Sequence, residues 1–90
     1  MITVEFTSVL KNFFPTLRTE YLEAGDLQSL VEAMDRKYPG FSNYITEDTG
    51  NLREHVHIYI GDIPIRRGSD LREKLAPSDK VFIFQAISGG

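Results

Sequence analysis

The amino-acid sequence predicts an α+β fold: a mixed four- to five-stranded sheet with one main helix and one short helical turn. Three observations carry that reading. Ile2, Val4 and Phe6 alternate with Thr3, Glu5 and Thr7 near the start. Near the end, Val81-Phe82-Ile83-Phe84-Gln85-Ala86-Ile87 reads as an apolar strand. Between them, Leu27, Leu30, Val31, Met34 and Tyr38 fall on one continuous helical stripe. A single stripe of this kind must be buried against one face of a sheet.

Taken in order, the period-two segment at residues 2–7 is a half-buried strand. Lys11-Asn12-Phe13-Phe14-Pro15-Thr16 reads as a hairpin connection, with Phe13 and Phe14 over the open end of the core. A second strand spans Leu17 to Glu23, with Leu17, Thr19 and Tyr21 on one side. Asp26 suits a helix N-cap, because its carboxylate can accept from the first free backbone N–H groups. Pro39-Gly40 ends the helix. The stretch from Phe41 to Glu54 is irregular and reads as a surface loop, with Glu47-Asp48-Thr49-Gly50-Asn51 as its turn. Val56, Ile58 and Ile60 alternate with His57 and Tyr59 to make a third strand. Gly61-Asp62 then turns the chain into a short edge segment, Ile63-Pro64-Ile65, where the proline cannot donate to a ladder. Ser69 or Asp70 caps a short helical turn with Leu71 and Leu75 inward, and Ser78-Asp79-Lys80 leads into the last strand. The first and last strands are the most apolar and are expected at the centre of the sheet.

The bulk properties narrow the function. The chain has 90 residues, 41% hydrophobic and 26% charged, which fits one small soluble domain over 1–90. A chain this short buries only roughly 60–65% of the surface exposed when it is unfolded, so its core must be economical. No apolar run approaches the ~20 residues of a membrane helix. The N-terminus lacks the basic-then-apolar order of a secretory signal. There is no cysteine, so disulfides, thiolate metal sites and a cysteine nucleophile are excluded, and a cytoplasmic location is expected. The net charge of −3, with basic residues adjacent only at Arg36-Lys37 and Arg66-Arg67, argues against nucleic acid.

The last strand leads into Ile87-Ser88-Gly89-Gly90. Two glycines carry no Cβ, so residues 88–90 can lie extended and flexible in a channel too narrow for other side chains. That suits a Gly90 carboxylate that is itself the reacting group. The residues from Asp79 to Gly90 (acidic turn, apolar strand, Gly-Gly) resemble the ending of the ubiquitin-like β-grasp sulfur carriers, the MoaD/ThiS family. The helix stop Tyr38-Pro39-Gly40 is similar too, and the resemblance covers essentially the whole length.

The resemblance implies a protein co-substrate rather than an enzyme. A ubiquitin-activating-like adenylyltransferase partner would use ATP and Mg²⁺ to adenylate Gly90, and sulfur attack would give a thiocarboxylate. This chain itself would bind no cofactor. Ile87, Ser88 and Gly89 would occupy the partner's channel. A sulfur-accepting synthase, cysteine-synthase-like or the large molybdopterin synthase subunit, would then take the sulfur. His55-Val56-His57-Ile58-Tyr59-Ile60-Gly61-Asp62 resembles the carrier of thiocarboxylate-dependent cysteine biosynthesis, the favoured branch. Molybdopterin synthase small subunits often carry prolines where this chain has Gln85-Ala86. The remaining alternative is a ubiquitin-like modifier, in which a lysine amine attacks the activated Gly90.

Strand alternation also places candidate surfaces. If Val81 and Ile83 face the helix, Phe82 and Phe84 face the other way. His57 and Tyr59 join them if the third and last strands are neighbours. The expected result is an aromatic patch of His57, Tyr59, Phe82 and Phe84 that docks partners. His55 and His57 would share a strand face, but no third or fourth ligand is near, so no metal site is expected. Asp62, Asp70 and Asp79 are explained by turns and capping, and no intrinsic catalytic residues are expected.

Overall fold

The computed structural model describes residues 1–65 and 71–85. Strand β1 is Ile2–Phe6, β2 is Glu20–Leu22, β3 is Val56–Ile60, β4 is Ile63–Pro64 and β5 is Lys80–Gln85. Helix α1 is Leu27–Lys37, α2 is Phe41–Ile45, and a 3₁₀ helix spans Ser8–Asn12. The strands form one sheet in the order β2-β1-β5-β3-β4. β1 and β5 run parallel, while β1–β2, β3–β5 and β3–β4 are antiparallel. The last strand is therefore central, flanked by the first and third as the sequence predicts. Pro64 sits on the outermost strand, where the missing N–H costs no ladder bond.

One face of the sheet forms the core with α1. Ile2 and Val4 from β1, Val56 and Ile58 from β3, and Val81 and Ile83 from β5 are buried there. Leu27, Leu30, Val31, Met34 and Tyr38 supply the helical side of the same cluster. Leu71 and Leu75 are also buried, as expected, while the caps assigned to Ser69 and Asp70 lie outside the described residues.

The segment from Leu71 to Leu75 crosses the N-terminus of α1. A helix leaves its first four N–H groups without internal partners. Here Leu27 N–H donates to Glu73 O at 3.0 Å and Gln28 N–H to Leu71 O at 2.8 Å. Asp26 closes the remainder: its Oδ1 accepts from Ser29 N–H at 2.8 Å. Its carbonyl accepts from Leu30 N–H at 3.1 Å. Leu75 N–H returns to Gly25 O at 3.0 Å, fastening the far end of the strap.

At the other end of α1, Tyr38 and Lys37 reach β2. The Tyr38 hydroxyl donates to Glu20 Oε2 at 2.6 Å, and Lys37 Nζ donates to Oε1 at 2.9 Å. The hydroxyl, then Lys37, holds the buried Glu20 carboxyl below its ordinary pKa, outweighing the opposing effect of burial.

Three expectations need correction. Leu17, Thr19 and Tyr21 do not share one side: Leu17 is buried from the loop before β2, Thr19 and Tyr21 are exposed, and Glu20 and Leu22 face inward. A carboxylate normally marks an outer face, but this one is satisfied by two donors, which allows the inverted pattern. The hairpin connection is not confined to residues 11–16: a 3₁₀ helix begins it at Ser8. The stretch 41–54 is not a surface loop throughout. Phe41 and Ile45 of α2 are fully buried, and Leu52 nearly so. Gly40, with φ of 93°, makes the left-handed step into α2 that other residues rarely adopt. The predicted turn is present, with Gly50 N–H bonded to Glu47 O at 2.9 Å and φ at Gly50 of 89°.

Candidate functional site

The sheet face away from α1 carries the aromatic residues. The register of β3 on β5 sets His57 opposite Phe84, Tyr59 opposite Phe82, and Ile58 opposite Ile83 on the core side. Period two then sends His57, Tyr59, Phe82 and Phe84 to the open face together. Phe84 is the hub. Its ring lies 5.1 Å from His57 and 5.7 Å from Tyr59, both stacked, and 5.9 Å from Phe82. His57 is its cross-strand neighbour and Tyr59 its diagonal one, the pairs that stabilise a sheet face, while Phe82 is two residues away on the same strand. His57 is exposed, while Tyr59, Phe82 and Phe84 are half-buried with their outer surfaces open.

Phe13 and Phe14 do not cover this patch. Phe14 packs on Phe41 at 5.6 Å and Tyr44 at 5.6 Å, and Phe13 on Tyr44 at 4.8 Å. They close the end of the core, as the sequence suggests, and leave the sheet face open.

The patch has a framed border. Lys80 Nζ lies 3.5 Å from Glu5 Oε1 on the same face. Both side chains are solvated, so the pair adds little stability and instead marks where the apolar surface stops. Pro64 lies opposite Tyr59 on β4, and Tyr21 lies opposite Thr3 on β2. Sequence reasoning missed Tyr21, which is 62% exposed at the far edge of the open face. The inward Glu20 disguised its orientation.

His55 and His57 are not brought together as strand neighbours. His55 lies in the turn before β3 and lines a groove of about 510 Å³ with Tyr44, Arg53 and Gln85. Among the described residues there is no group of three or more His, Cys, Asp or Glu able to hold a metal ion. Asp79 does serve a turn: its Oδ2 accepts from Ala76 N–H at 2.7 Å, just before β5.

The predicted tail residues Ile87, Ser88, Gly89 and Gly90 lie outside the described residues. The last described residue of β5 is Gln85, whose side chain accepts a hydrogen bond from the Tyr44 hydroxyl. No helix among the described residues is long and apolar enough to cross a membrane.

This geometry coincides with known proteins. The model of the ThiS family matches residues 6–90. No curated protein sequence matches the chain. Among solved structures, a chain of the Amycolatopsis orientalis BexX/CysO complex superposes with a TM-score of 0.85 at 16% identity, covering 100% of both chains. Mycobacterium tuberculosis CysO gives 0.82 at 22% identity, over 97% of this chain and 100% of that one. The small archaeal modifier protein 1 of Methanosarcina acetivorans gives 0.77 at 23% identity, over 99% and 95%. Likeness at these identities concerns the fold: a ubiquitin-like β-grasp.

Proposed function

The chain belongs to the ThiS family, and on that premise we propose that it is a sulfur carrier whose Gly90 carboxylate is the site of chemistry. In the first step a carboxylate oxygen attacks the α-phosphorus of ATP, and pyrophosphate leaves. A ubiquitin-activating-like adenylyltransferase, with Mg²⁺, supplies that site. Hydrosulfide then attacks the acyl carbon, AMP departs, and with loss of a proton Gly90 carries a thiocarboxylate. In a cysteine-type biosynthetic pathway the thiocarboxylate sulfur then displaces a leaving group from an electrophilic carbon of the substrate held by the acceptor enzyme, and water cleaves the acyl bond to Gly90 so that the chain returns as the carboxylate. On this reading it is a co-substrate, recharged at each turnover.

The observation that carries the reading is the position of β5. It is the central strand, it bears two of the four patch aromatics, and its last described residue, Gln85, is five positions before Gly90. An apolar surface beside the exit of a Gly-Gly segment supplies docking energy next to the reacting end. Ile87, Ser88 and Gly89 then thread the partner's channel. The Amycolatopsis structure holds CysO in a complex with BexX. That supports a carrier that works by docking on a second protein.

The test is intact mass after incubation with the cognate adenylyltransferase, ATP, Mg²⁺ and a sulfur source. The expected result is an increase equal to one oxygen-to-sulfur exchange, absent when Gly90 is deleted. An unchanged mass with a demonstrably active partner overturns the proposal. Pairing the charged carrier with a cysteine-synthase-like enzyme or with a large molybdopterin synthase subunit separates those acceptors. The likeness to a small archaeal modifier protein favours one further reading, with a lysine amine as the attacking group. Its signature is an isopeptide adduct through Gly90.

A further inference from the structure

We infer that the outer edge of β2 is a docking site for an extended, acidic segment of a partner protein, which adds to the sheet as a further strand with a carboxylate beside Arg18 and Lys37. The inference goes beyond the sulfur-carrier reading and uses neither the tail nor Gly90.

The backbone shows which groups face outward. Thr3 N–H donates to Asp79 O at 3.1 Å, so the peptide groups of Thr3 point toward β5. Alternation turns those of Ile2 and Val4 the other way, onto Leu22 and Glu20 of β2. Tyr21, opposite Thr3, then directs its own N–H and C=O away from β1. β2 is the outermost strand on that side, and these two groups have no partner among the described residues.

The opposite edge is closed to such pairing. Ile65 N–H donates to Ile58 O at 2.9 Å, so the outward-facing position on β4 is Pro64. Proline has no N–H to offer an incoming strand, a common guard on sheet edges. Residues 19–23 contain no proline. An inward charge is another such guard, but Glu20 is already satisfied by Tyr38 and Lys37.

Charge selects the occupant. Lys37 Nζ lies 2.9 Å and Arg18 Nε 3.7 Å from the carboxylate of Glu20. The two cationic side chains are 51% and 80% exposed, against 7% for Glu20. One carboxylate between two cations leaves a surplus positive charge on the α1 side of the edge, open to solvent. A strand laid antiparallel to β2 sends alternate side chains to that side, opposite Arg18, Glu20 and Leu22. A carboxylate opposite Arg18 meets the surplus, and an apolar side chain suits the place opposite Leu22. A second copy of this chain does not match. Two-fold pairing centred on Tyr21 sets Leu22 of one copy against Glu20 of the other and Ala24 against Arg18, and it leaves Glu23 on the other face. In strand addition, main-chain bonds give affinity and alternate side chains give specificity.

The probe is a blocked hexapeptide, Lys-Val-Tyr-Val-Thr-Glu, whose third residue is set to pair with Tyr21 and whose last faces Arg18. In an NMR titration of the full chain, the Tyr21 amide is expected to shift saturably and its exchange to slow about tenfold or more. Methylating the backbone nitrogen of the peptide tyrosine should weaken binding about fivefold, the weight of one hydrogen bond. Tyr21→Pro copies the guard of the opposite edge and spares the ladder to β1, and it should weaken binding by about fivefold or more. Arg18→Gln should cost about threefold at low salt. Replacing the peptide glutamate by glutamine should cost as much in wild type and add little in Arg18→Gln. No saturable binding at millimolar peptide, shifts centred on the β3–β5 patch, or undiminished binding of the N-methyl peptide overturns the edge site. Equal affinity for the glutamate and glutamine peptides overturns the acidic occupant. Should Tyr21→Pro lose the wild-type amide spectrum, the N-methyl peptide decides in its place. A dimer of the free chain, seen by sedimentation equilibrium and lost in Tyr21→Pro, makes the occupant a second copy and overturns the charge argument.

Discussion

On one face of β5, Val81 and Ile83 are fully buried with the stripe of α1. On the other, the larger Phe82 and Phe84 remain partly open to solvent. Burial alone would favour the reverse, since a phenylalanine removes more apolar area from water than a valine does. The smaller, branched residues fill the space between sheet and helix, where shape matters. The rings lie where a flat, stacked surface is useful only if something else covers it. On the proposed docking role of the open face, stability and recognition are separated by one residue step along the same strand.

That separation can be broken from either side. The largest effect on stability is expected on the core face. Phe41→Ala should cost about 3–5 kcal/mol and Ile83→Ala about 2–5 kcal/mol by denaturant unfolding, from lost transfer energy plus the cavity left behind. Next is the polar tie at the C-terminal end of α1. Tyr38→Phe should cost about 2 kcal/mol, because a buried carboxylate loses a charge-assisted bond.

The tie also shapes the pH profile. The folded-state pKa of Glu20 is lowered, chiefly by the Tyr38 hydroxyl and then by Lys37. Its contribution is therefore fully present above the ordinary glutamate range and is lost as pH falls through the lowered value. A pH series of unfolding midpoints should show a shallower acid limb in Tyr38→Phe than in wild type. An identical limb would mean the carboxylate is held by other groups. Asp26 and Asp35, both lowered mainly by backbone N–H groups, supply the slope that remains.

The smallest effect on stability is expected on the open face. Phe84→Ala should cost only about 1 kcal/mol, the scale of its ring contacts. Yet it should weaken binding to a partner by more than tenfold if the patch is a docking centre. Titration with the cognate partner checks this. A large loss of stability with unchanged binding would reverse the roles assigned to the two faces.

Much of this division was legible in the sequence, for a physical reason. Strands β1, β3 and β5 alternate over five or six residues, long enough for period two to show. Helix α1 has a capped start and an unbroken stripe. Strand β2 has only three residues and an inward Glu20, whose partners lie 17 and 18 positions away. No local pattern reveals that such a carboxylate is satisfied. The region 41–54 misled in a similar way, because Phe41, Tyr44 and Ile45 keep helical spacing for only one turn and the turn residues 47–51 separate them from Leu52. The bond from Tyr44 to Gln85 spans 41 positions and became visible only with the fold. Of the site, the four patch residues could be read from alternation and one assumed strand pairing. Tyr21 and Tyr44 could not.

The strap over the start of α1 has a consequence for how the chain tolerates change. Two of its bonds accept on main-chain oxygens of Leu71 and Glu73, atoms that every amino acid possesses. Substitution at those positions leaves both acceptors in place, provided the backbone keeps its path. Position 75 is different: its N–H is a donor, so a proline there would unfasten the strap. Mutational drift should therefore be wide in side-chain identity at the exposed Glu73 and narrow at the buried Leu71 and Leu75 and in one backbone requirement.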